Sequence, residues 1–553
     1  MTALVITAAL GFMILLILID TYRSNAKIKR MARESWGKPP VTRFRVDRLE
    51  SVETYWEEKK LRLGHGRYID DITWNDLDMN LIFTQLNSTF SSVGAEYMYA
   101  RLHELCFDQA ELQAFDELVC ALDTHEVERE QIAFRLGKLG KNDFNGVSDF
   151  IFAPSDKRLS NMWMYFILGS LPLCGLALAL ISWQAGVAVL AAASVINMLV
   201  YYKHKFLLEK ELNSIAYMSS IVACAGKLRK ISHPAFRDSA ERLVELHAPL
   251  RKVAGMGAGF LAKSSKDLDF ISDYIKILFM YDFINYNRII NTLCKHTDVF
   301  HSLWQELGRL DAAIAVASYR RCVPHYTTPV FIGQNELSGR EIYHPLVDQP
   351  VCNPLDLVRN TIITGSNASG KSTYIKAVAV NCIFAQSIYT CLAAEFKLRP
   401  SLVLTSMAVR DNVAAGDSYF IAEIKSLRRI LRSLSAELSC LCFIDEILKG
   451  TNTIERIAAS ASILGWLDGQ NCLCVVASHD IELTEILSGS YDNFHFREQI
   501  TDEGIVFDYK LYPGKARTKN AIKLLDFIDY PREVIARAQR MAEDFETTRK
   551  WGK

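Results

Sequence analysis

Residues 365–372 read GSNASGKS: two glycines bracket four small residues, and a lysine and a serine follow. The stretch leaves the strand-like NTIIT (360–364) and opens the helical TYIKAVAVNCIFAQSI (373–388). A loop of this pattern in this setting turns its backbone N–H groups inward and points a helix amino terminus at the same spot, which makes a cradle for phosphate. Strand, loop and helix then belong to a parallel sheet flanked by helices, so the motif commits the carboxy-terminal part of the chain to an α/β P-loop domain. From about 327 onward, short apolar runs alternate with helical ones, as that fold requires. The loop as a whole, Gly365, Ser366, Asn367, Ala368, Ser369, Gly370, Lys371, Ser372 and Thr373, is the expected ATP-binding segment. Lys371 is expected at the β- and γ-phosphates, and the Ser372 hydroxyl on Mg2+.

Two further strand ends complete that chemistry. The apolar run LSCLCFIDEI (438–447) delivers Asp445 and Glu446 at its carboxyl end. Beside a P-loop, Asp445 holds the magnesium ion and Glu446 orients or deprotonates the attacking water. The run CLCVVASHD (472–480) delivers His479, placed to sense a γ-phosphate by hydrogen bonding. Between the loop and the last of these lies RDNVAAGDSYFIAEIKSLRRILRSL (410–434), where Ser418 begins a helix with Phe420, Ile421, Ile424, Leu427, Ile430, Leu431 and Leu434 on one face. Gly416 and Ser418 at its start form a second anion-receptive site. One domain has no use for two γ-phosphate cradles, whereas two facing copies do, so the expectation is a homodimer closing on ATP through its ATPase domains.

The amino-terminal half makes a different demand. Residues 3–19 carry no charge, end at Asp20, and are followed by Arg23, Lys27, Lys29, Arg30 and Arg33. Residues 159–202 contain no Asp, Glu, Lys or Arg. A membrane span takes roughly 17–25 residues, so the first run is just sufficient and the second accommodates a pair of helices, 162–182 and 185–202, with a turn near 183–186. Basic residues follow the first run and flank the pair on both sides, which places the amino terminus outside and the bulk of the chain in the cytosol. The expectation is therefore a multi-pass protein of the cell membrane with three transmembrane helices and its ATPase domain cytoplasmic; a buried core hairpin is the alternative for the second region.

The remainder is helical and mixed in charge. Lys plus Arg and Asp plus Glu each number 63, so no net charge advertises a polyanion, although local patches rather than totals decide phosphate contact. The basic clusters at 227–230, 319–321 and 427–432 are candidate phosphate contacts, with solvated helix faces as the alternative. Thirteen cysteines fall partly in apolar strand-like runs, none as a CxxC pair, and read as reduced, buried thiols.

Taken with their connecting residues, HPLVDQPVCNPLDL, GSNASGKST, GDSYFIAEI, DEILKGTNT and SHDIEL, these elements resemble the MutS family of ABC-type ATPases. The tail YKLYPGKARTKNAIKLLDFIDYPREVIARAQ resembles that family's closing segment, and residues 69–103 the start of its core and lever region. The resemblance implies a mostly α-helical core and lever region joined to the ATPase domain, with ATP and Mg2+ as cofactors, and it implies DNA, duplex or branched, as a partner beside the lipid bilayer. It assigns Asn367 and Lys371 to phosphate, Ser372 and Asp445 to Mg2+, Glu446 to catalysis, His479 to the switch, and Ser418 to the partner's nucleotide. The family stacks adenine on an aromatic ahead of NP; here that segment is QPVCNP, and the stacking role passes to Tyr509 in VFDYKLYPG. The mismatch-reading Phe-x-Glu motif of the family is not found in the corresponding part of the chain. With the apolar runs read as spans, the expected layout is a span over 1–22, a basic linker over 23–44, lever helices over 45–160 and 204–325, and a membrane hairpin over 161–203. The ATPase domain follows over 326–515 and dimerisation helices over 516–553. The implied activity is ATP hydrolysis coupled to helical levers that grip DNA; the alternative is a membrane mechanoenzyme acting on a protein without DNA.

Overall fold

The computed structural model describes residues 2–40, 46–63, 66–153, 158–159, 161–261, 273–366, 369–407, 419–501, 504–516 and 530–548. The chain divides into two compact units. One comprises Met1–Gly66, Phe83–Leu102 and Ala110–Pro324; the other comprises Arg67–Ile82, His103–Gln109 and His325–Lys553.

The first unit is helical. Its helices follow apolar spacing, as in Gln109–Thr124, where Leu112, Phe115, Leu118, Val119 and Leu122 are buried on one side. The helix Thr297–Cys322 is buried along most of its length. It carries a fully buried carboxylate, Asp311, whose oxygens accept from Phe90 N (2.9 Å), Ser91 N (2.9 Å) and Ser91 Oγ (2.6 Å). Those are the donors at the entry to the helix Ser92–His103, so a long-range acid does the work of a local cap. Gly94 is obligatory there, since a Cβ would lie 2.2 Å from Asp311 Oδ2.

Two helices of this unit, Met162–Ala179 and Trp183–Leu207, are long and apolar enough to cross a membrane by length and composition. Their turn lies at 180–182, earlier than the 183–186 expected from sequence. Gly186 is used for close approach instead: a Cβ there would lie 2.4 Å from Ala179 Cα, so the glycine lets the two helices touch next to the turn. Large apolar side chains face outward, Leu180 and Ile181 being 90% and 86% exposed. The hairpin packs on its own unit through specific contacts. Asn197 Nδ2 donates to the carbonyls of Leu168 (2.9 Å) and Leu278 (2.7 Å), and Tyr201 Oη donates to Asp282 (2.6 Å). Tyr165 stacks on Phe283 at 4.9 Å between centroids. The third apolar run lies within one continuous helix, Thr2–Glu34, which also takes in the basic residues that follow it.

The second unit holds two sheets. Strands β4 (Thr361–Thr364), β6 (Leu402–Ser406), β7 (Cys440–Asp445) and β8 (Cys472–Ala477) run parallel in a six-stranded sheet of order β10-β9-β4-β8-β7-β6. β9 (Asp492–Thr501) pairs parallel with β4 and antiparallel with β10 (Gly504–Pro513). A four-stranded sheet of order β1-β5-β2-β3 joins Val330–Phe331, Glu395–Leu398, Leu337–Ile342 and Asn353–Leu357. The near-continuous apolar runs of β7 and β8 fit strands covered on both faces. Cys440 and Cys442 pair in register with Cys472 and Cys474, all four buried, and all thirteen cysteines are free thiols. The short helix Asp71–Asp76 belongs to this unit: Asp70 caps it by accepting from Thr73 N at 2.9 Å, and Asp76 accepts from Thr405 Oγ1 (2.7 Å) and Met407 N (3.0 Å). These bonds fix the carboxyl end of β6.

Candidate functional site

The parallel register sets the site. Asp445 lies opposite Ala477, Ile363 opposite both Ala477 and Phe494, and the backbone continues these ladders through Glu446 N to Ala477 O (2.9 Å) and Ser478 N to Ile363 O (3.0 Å). The carboxyl ends of β4, β7 and β8 therefore deliver the loop from Gly365, the Asp445–Glu446 pair and His479 to one edge of the sheet, the usual ligand edge of an open α/β fold.

The loop's glycines are there for conformation. Gly365 and Gly370 have φ of 144° and 98°, values that only glycine adopts freely, and Gly370 is the residue before the helix Lys371–Ser387. Ser369, fully buried, closes the turn by donating Oγ to Ser366 O (2.8 Å). Ser366 Oγ donates to Glu498 on β9, a partner that no local sequence pattern reveals. Asn367 and Ala368 lie outside the described residues, as do Gly416 and Ser418. The helix expected to begin at Ser418 is described over Tyr419–Ser433, with Leu427 and Ile430 in the core.

Lys371 is 3% exposed, and its ammonium donates to the carbonyls of Gly365 (2.7 Å) and Ser366 (2.8 Å). Burial pulls its pKa down to about 8 against the opposing charges of Asp445 and Glu446. The side chain is thus held across the loop by two of its carbonyl oxygens. Glu446 sits in the left-handed region, φ 62°, at the turn after β7. One carboxylate oxygen meets His479 Nε2 at 3.0 Å and the other meets Lys449 Nζ at 2.8 Å. Burial works to raise the Glu446 pKa, but the hydrogen bonds and charges of His479 and Lys449 outweigh it and hold it at about 2. His479 Nε2 also lies 3.4 Å from Lys371 Nζ. An Nε2–H that donates to Glu446 has no lone pair for the lysine, so that approach is a contact within a charge cluster rather than a hydrogen bond. The pair of side chains predicted as base and sensor are thereby brought together, and Lys449, quoted in the sequence only as part of DEILKGTNT, proves to be their third member.

The candidate donors for a divalent cation are Ser372, at the start of the loop's helix, and Asp445, at the end of β7. A hydroxyl and a carboxylate are hard oxygens and suit Mg2+, which keeps waters and borrows phosphate oxygens. Among the described residues there is no group of three or more His, Cys, Asp or Glu that could hold a metal ion.

Beside the loop opens a cleft of about 460 Å³ whose walls include Tyr343, His344, Val351, Tyr374, Phe496 and Tyr509, and whose edge is Gly370, Ser372 and Thr373. Tyr509 has φ 54° at the irregular register between β9 and β10, and its ring lies 3.1 Å from where a Cβ on Gly370 would be. Asn353 fixes that bulge from the other side, donating to Tyr509 O (2.8 Å) and accepting from Leu511 N (2.8 Å). The expected base-stacking residue therefore reaches the cleft. His344 and Asn353 also border the cleft; both lie in HPLVDQPVCNPLDL, where no local pattern marks either side chain.

Residues 361–546 match the family model MutS domain V. The chain is 30% identical over 271 residues to the DNA mismatch repair protein MutS of Pseudothermotoga lettingae, covering 47% of this chain and 33% of that protein. It is 28% identical over 269 residues to the protein of the same description from Thermotoga maritima, covering 47% and 33%. For that of Thermus thermophilus the figures are 27% over 254 residues, covering 45% and 30%. The matched stretch spans about a third of the length of each relative, and supports the MutS resemblance for that part of the chain.

Proposed function

We propose that this chain binds and hydrolyses ATP with Mg2+ at a site shared between two copies, and couples closure of that site to its helices at a membrane surface. The observation that carries the reading is the convergence of Lys371, Asp445, Glu446 and His479 on the edge where the GSNASGKS loop meets its helix. In the reaction, Lys371 exchanges its loop carbonyls for phosphate oxygens, Ser372 and Asp445 hold the metal ion, which neutralises phosphate charge when bound, and Glu446 orients the attacking water while His479 positions its carboxylate. Gly416 and Ser418 are assigned to the partner copy's triphosphate. The test is a pair of variants of the detergent-solubilised protein. Lys371→Ala should lose ATP binding, whereas Glu446→Gln should bind ATP, turn over roughly 10²–10⁴-fold more slowly and accumulate as a closed dimer. Hydrolysis by Glu446→Gln at the wild-type rate, or a protein that stays monomeric with Mg2+ and a non-hydrolysable analogue, refutes the reading.

Two outputs of the closure are distinguishable. The relatives are described as DNA mismatch repair proteins, which favours helices that grip DNA. The contacts of Asn197, Tyr201 and Tyr165 with residues 278–283 favour a second reading, a membrane mechanoenzyme whose closure moves the apolar hairpin. Salt-dependent binding to duplex and branched DNA decides: a slope of log affinity against log salt near zero removes the first output. The membrane assignment, three spans with the ATPase domain cytoplasmic, is tested by a reporter fused after Lys210, which should register as cytosolic.

A further inference from the structure

The apolar hairpin has company below the level of its own flanking charges. Leu159 opens the charge-free run 159–202, and the Asn287 amide holds both of its backbone groups, accepting from Leu159 N (3.0 Å) and donating to Leu159 O (3.2 Å). Followed back from Asn287, the helix Tyr281–Lys295 meets hairpin residues ever farther from that boundary. Phe283 stacks on Tyr165, Asp282 accepts from Tyr201, and the turn ahead of the helix reaches Gly169 and Asn197. Asn197 lies six residues before Lys203 within the helix Trp183–Leu207, which at 1.5 Å per residue is about 9 Å short of that first charge.

The contact at that depth is close. A Cβ on Gly169 would lie 2.5 Å from Phe279 O, so the missing side chain admits the backbone there. Met280, at φ 51°, breaks the helical path between 273–278 and Tyr281, and at that break Asn197 Nδ2 donates to Leu278 O (2.7 Å). Irregular backbone away from water requires such a partner. The ionic side chains are turned inward or paired: Asp282 is buried against Tyr201, and Lys276, little exposed, meets Asp273 at 3.5 Å. Large apolar and aromatic side chains face outward instead, Tyr274 and Ile275 each 53% exposed and Tyr281 38%. Along the helix Tyr281–Lys295 the first exposed charge is Arg288, next to Asn287 at the boundary.

We infer that residues 273–286 are seated in one leaflet of a lipid bilayer beside the hairpin, with Tyr274, Ile275 and Tyr281 against acyl chains and Arg288 at the headgroups. The inference rests on the membrane reading of the hairpin and goes beyond it. One leaflet holds about 15 Å of hydrocarbon, so the segment enters more than half of it and spans nothing. Charge-free length does not mark it in the sequence, because Asp273, Lys276 and Asp282 interrupt the run. The helix Tyr281–Lys295 then has its amino-terminal end in lipid, and the helical unit grips the bilayer directly, not only through the ends of the hairpin.

The experiment places the full-length protein in nanodiscs of phosphatidylcholine and phosphatidylglycerol and maps two photolabels by mass spectrometry. One is a phosphatidylcholine carrying a diazirine on its acyl chain; the other is a water-soluble diazirine. The lipid probe should mark Leu199 of the hairpin together with Tyr274, Ile275 and Tyr281, about tenfold above Val127 and Val244, exposed apolar residues of the helices Glu126–Leu139 and Arg237–Leu261. Gly169→Leu, which fills the space of the Phe279 carbonyl, should cut the lipid label on Tyr274 and Ile275 while Leu199 keeps its own. Labelling of Tyr274 and Ile275 by the water-soluble probe overturns the inference, as does labelling by neither probe, which means that protein, such as a second copy of this chain, covers them. An undiminished lipid label in Gly169→Leu overturns the seating on the hairpin. Failure of the underlying membrane reading looks different, since Leu199 would then escape the lipid probe as well.

Discussion

Glu96 offers a quantitative test of the helical unit. It lies in the helix Ser92–His103, 4% exposed, and its Oε1 accepts from Asn145 Nδ2 at 2.6 Å. Burial lifts its pKa from 4.5 to about 8, with the Asn145 hydrogen bond working against the rise. The folded-state pKa thus lies above the unfolded one, so the associated stability is full below pH 4.5 and is lost as the pH climbs toward 8. At about 1.36 kcal/mol per pH unit, the loss between pH 5 and pH 8 is about 4 kcal/mol, an upper bound if water reaches the site. Glu96→Gln imitates the protonated acid, keeps the acceptor for Asn145, and has nothing to titrate. Urea unfolding of both proteins at pH 5, 6, 7 and 8, followed by tryptophan fluorescence, gives the difference directly, since titration of every other group cancels. The two should coincide near pH 5, and Glu96→Gln should become progressively the more stable as the pH rises. Profiles that stay parallel within about 0.5 kcal/mol from pH 5 to 8 would show that Glu96 is not held neutral, and the desolvation argument would fail.

Asp311→Asn should destabilise the same unit by about 2–4 kcal/mol in urea unfolding, because either orientation of the amide turns an NH2 toward a buried backbone N–H at Phe90 or Ser91; a change below 0.5 kcal/mol would mean those donors find water. ATP affinity should fall as the pH rises through about 8, by up to tenfold per unit, since Lys371 must be charged to hold phosphate and its free-state pKa is depressed to that value. Isothermal titration in two buffers of different ionisation enthalpy should show proton uptake on binding above pH 8, and zero uptake at pH 9 would contradict the buried-lysine geometry.

The loop, the acidic pair and the histidine were legible in the chain because each is a local constraint. Glycines at φ of 144° and 98°, a helix amino terminus and strand-end carboxylates are all written within a few consecutive residues. Parallel pairing then leaves little choice about which ends of β4, β7 and β8 meet. The apolar hairpin was legible for the same reason, through charge-free length, although its turn was displaced because a glycine signals close packing as readily as a bend.

Partners far apart along the chain were not legible. The Asp311 carboxylate lies 221 positions from the Phe90 amide it binds, and Glu498 lies 132 from Ser366. Neither carries a motif, because a carboxylate needs only donors within reach and any fold that supplies them will serve. His344 reads in the sequence as an ordinary HP dipeptide; its Nδ1 accepts from Leu346 N only two positions on, whereas the burial of its ring is decided by the fold. Local backbone geometry is encoded by neighbouring residues, whereas the desolvation and satisfaction of a side chain are properties of whatever the whole fold brings beside it.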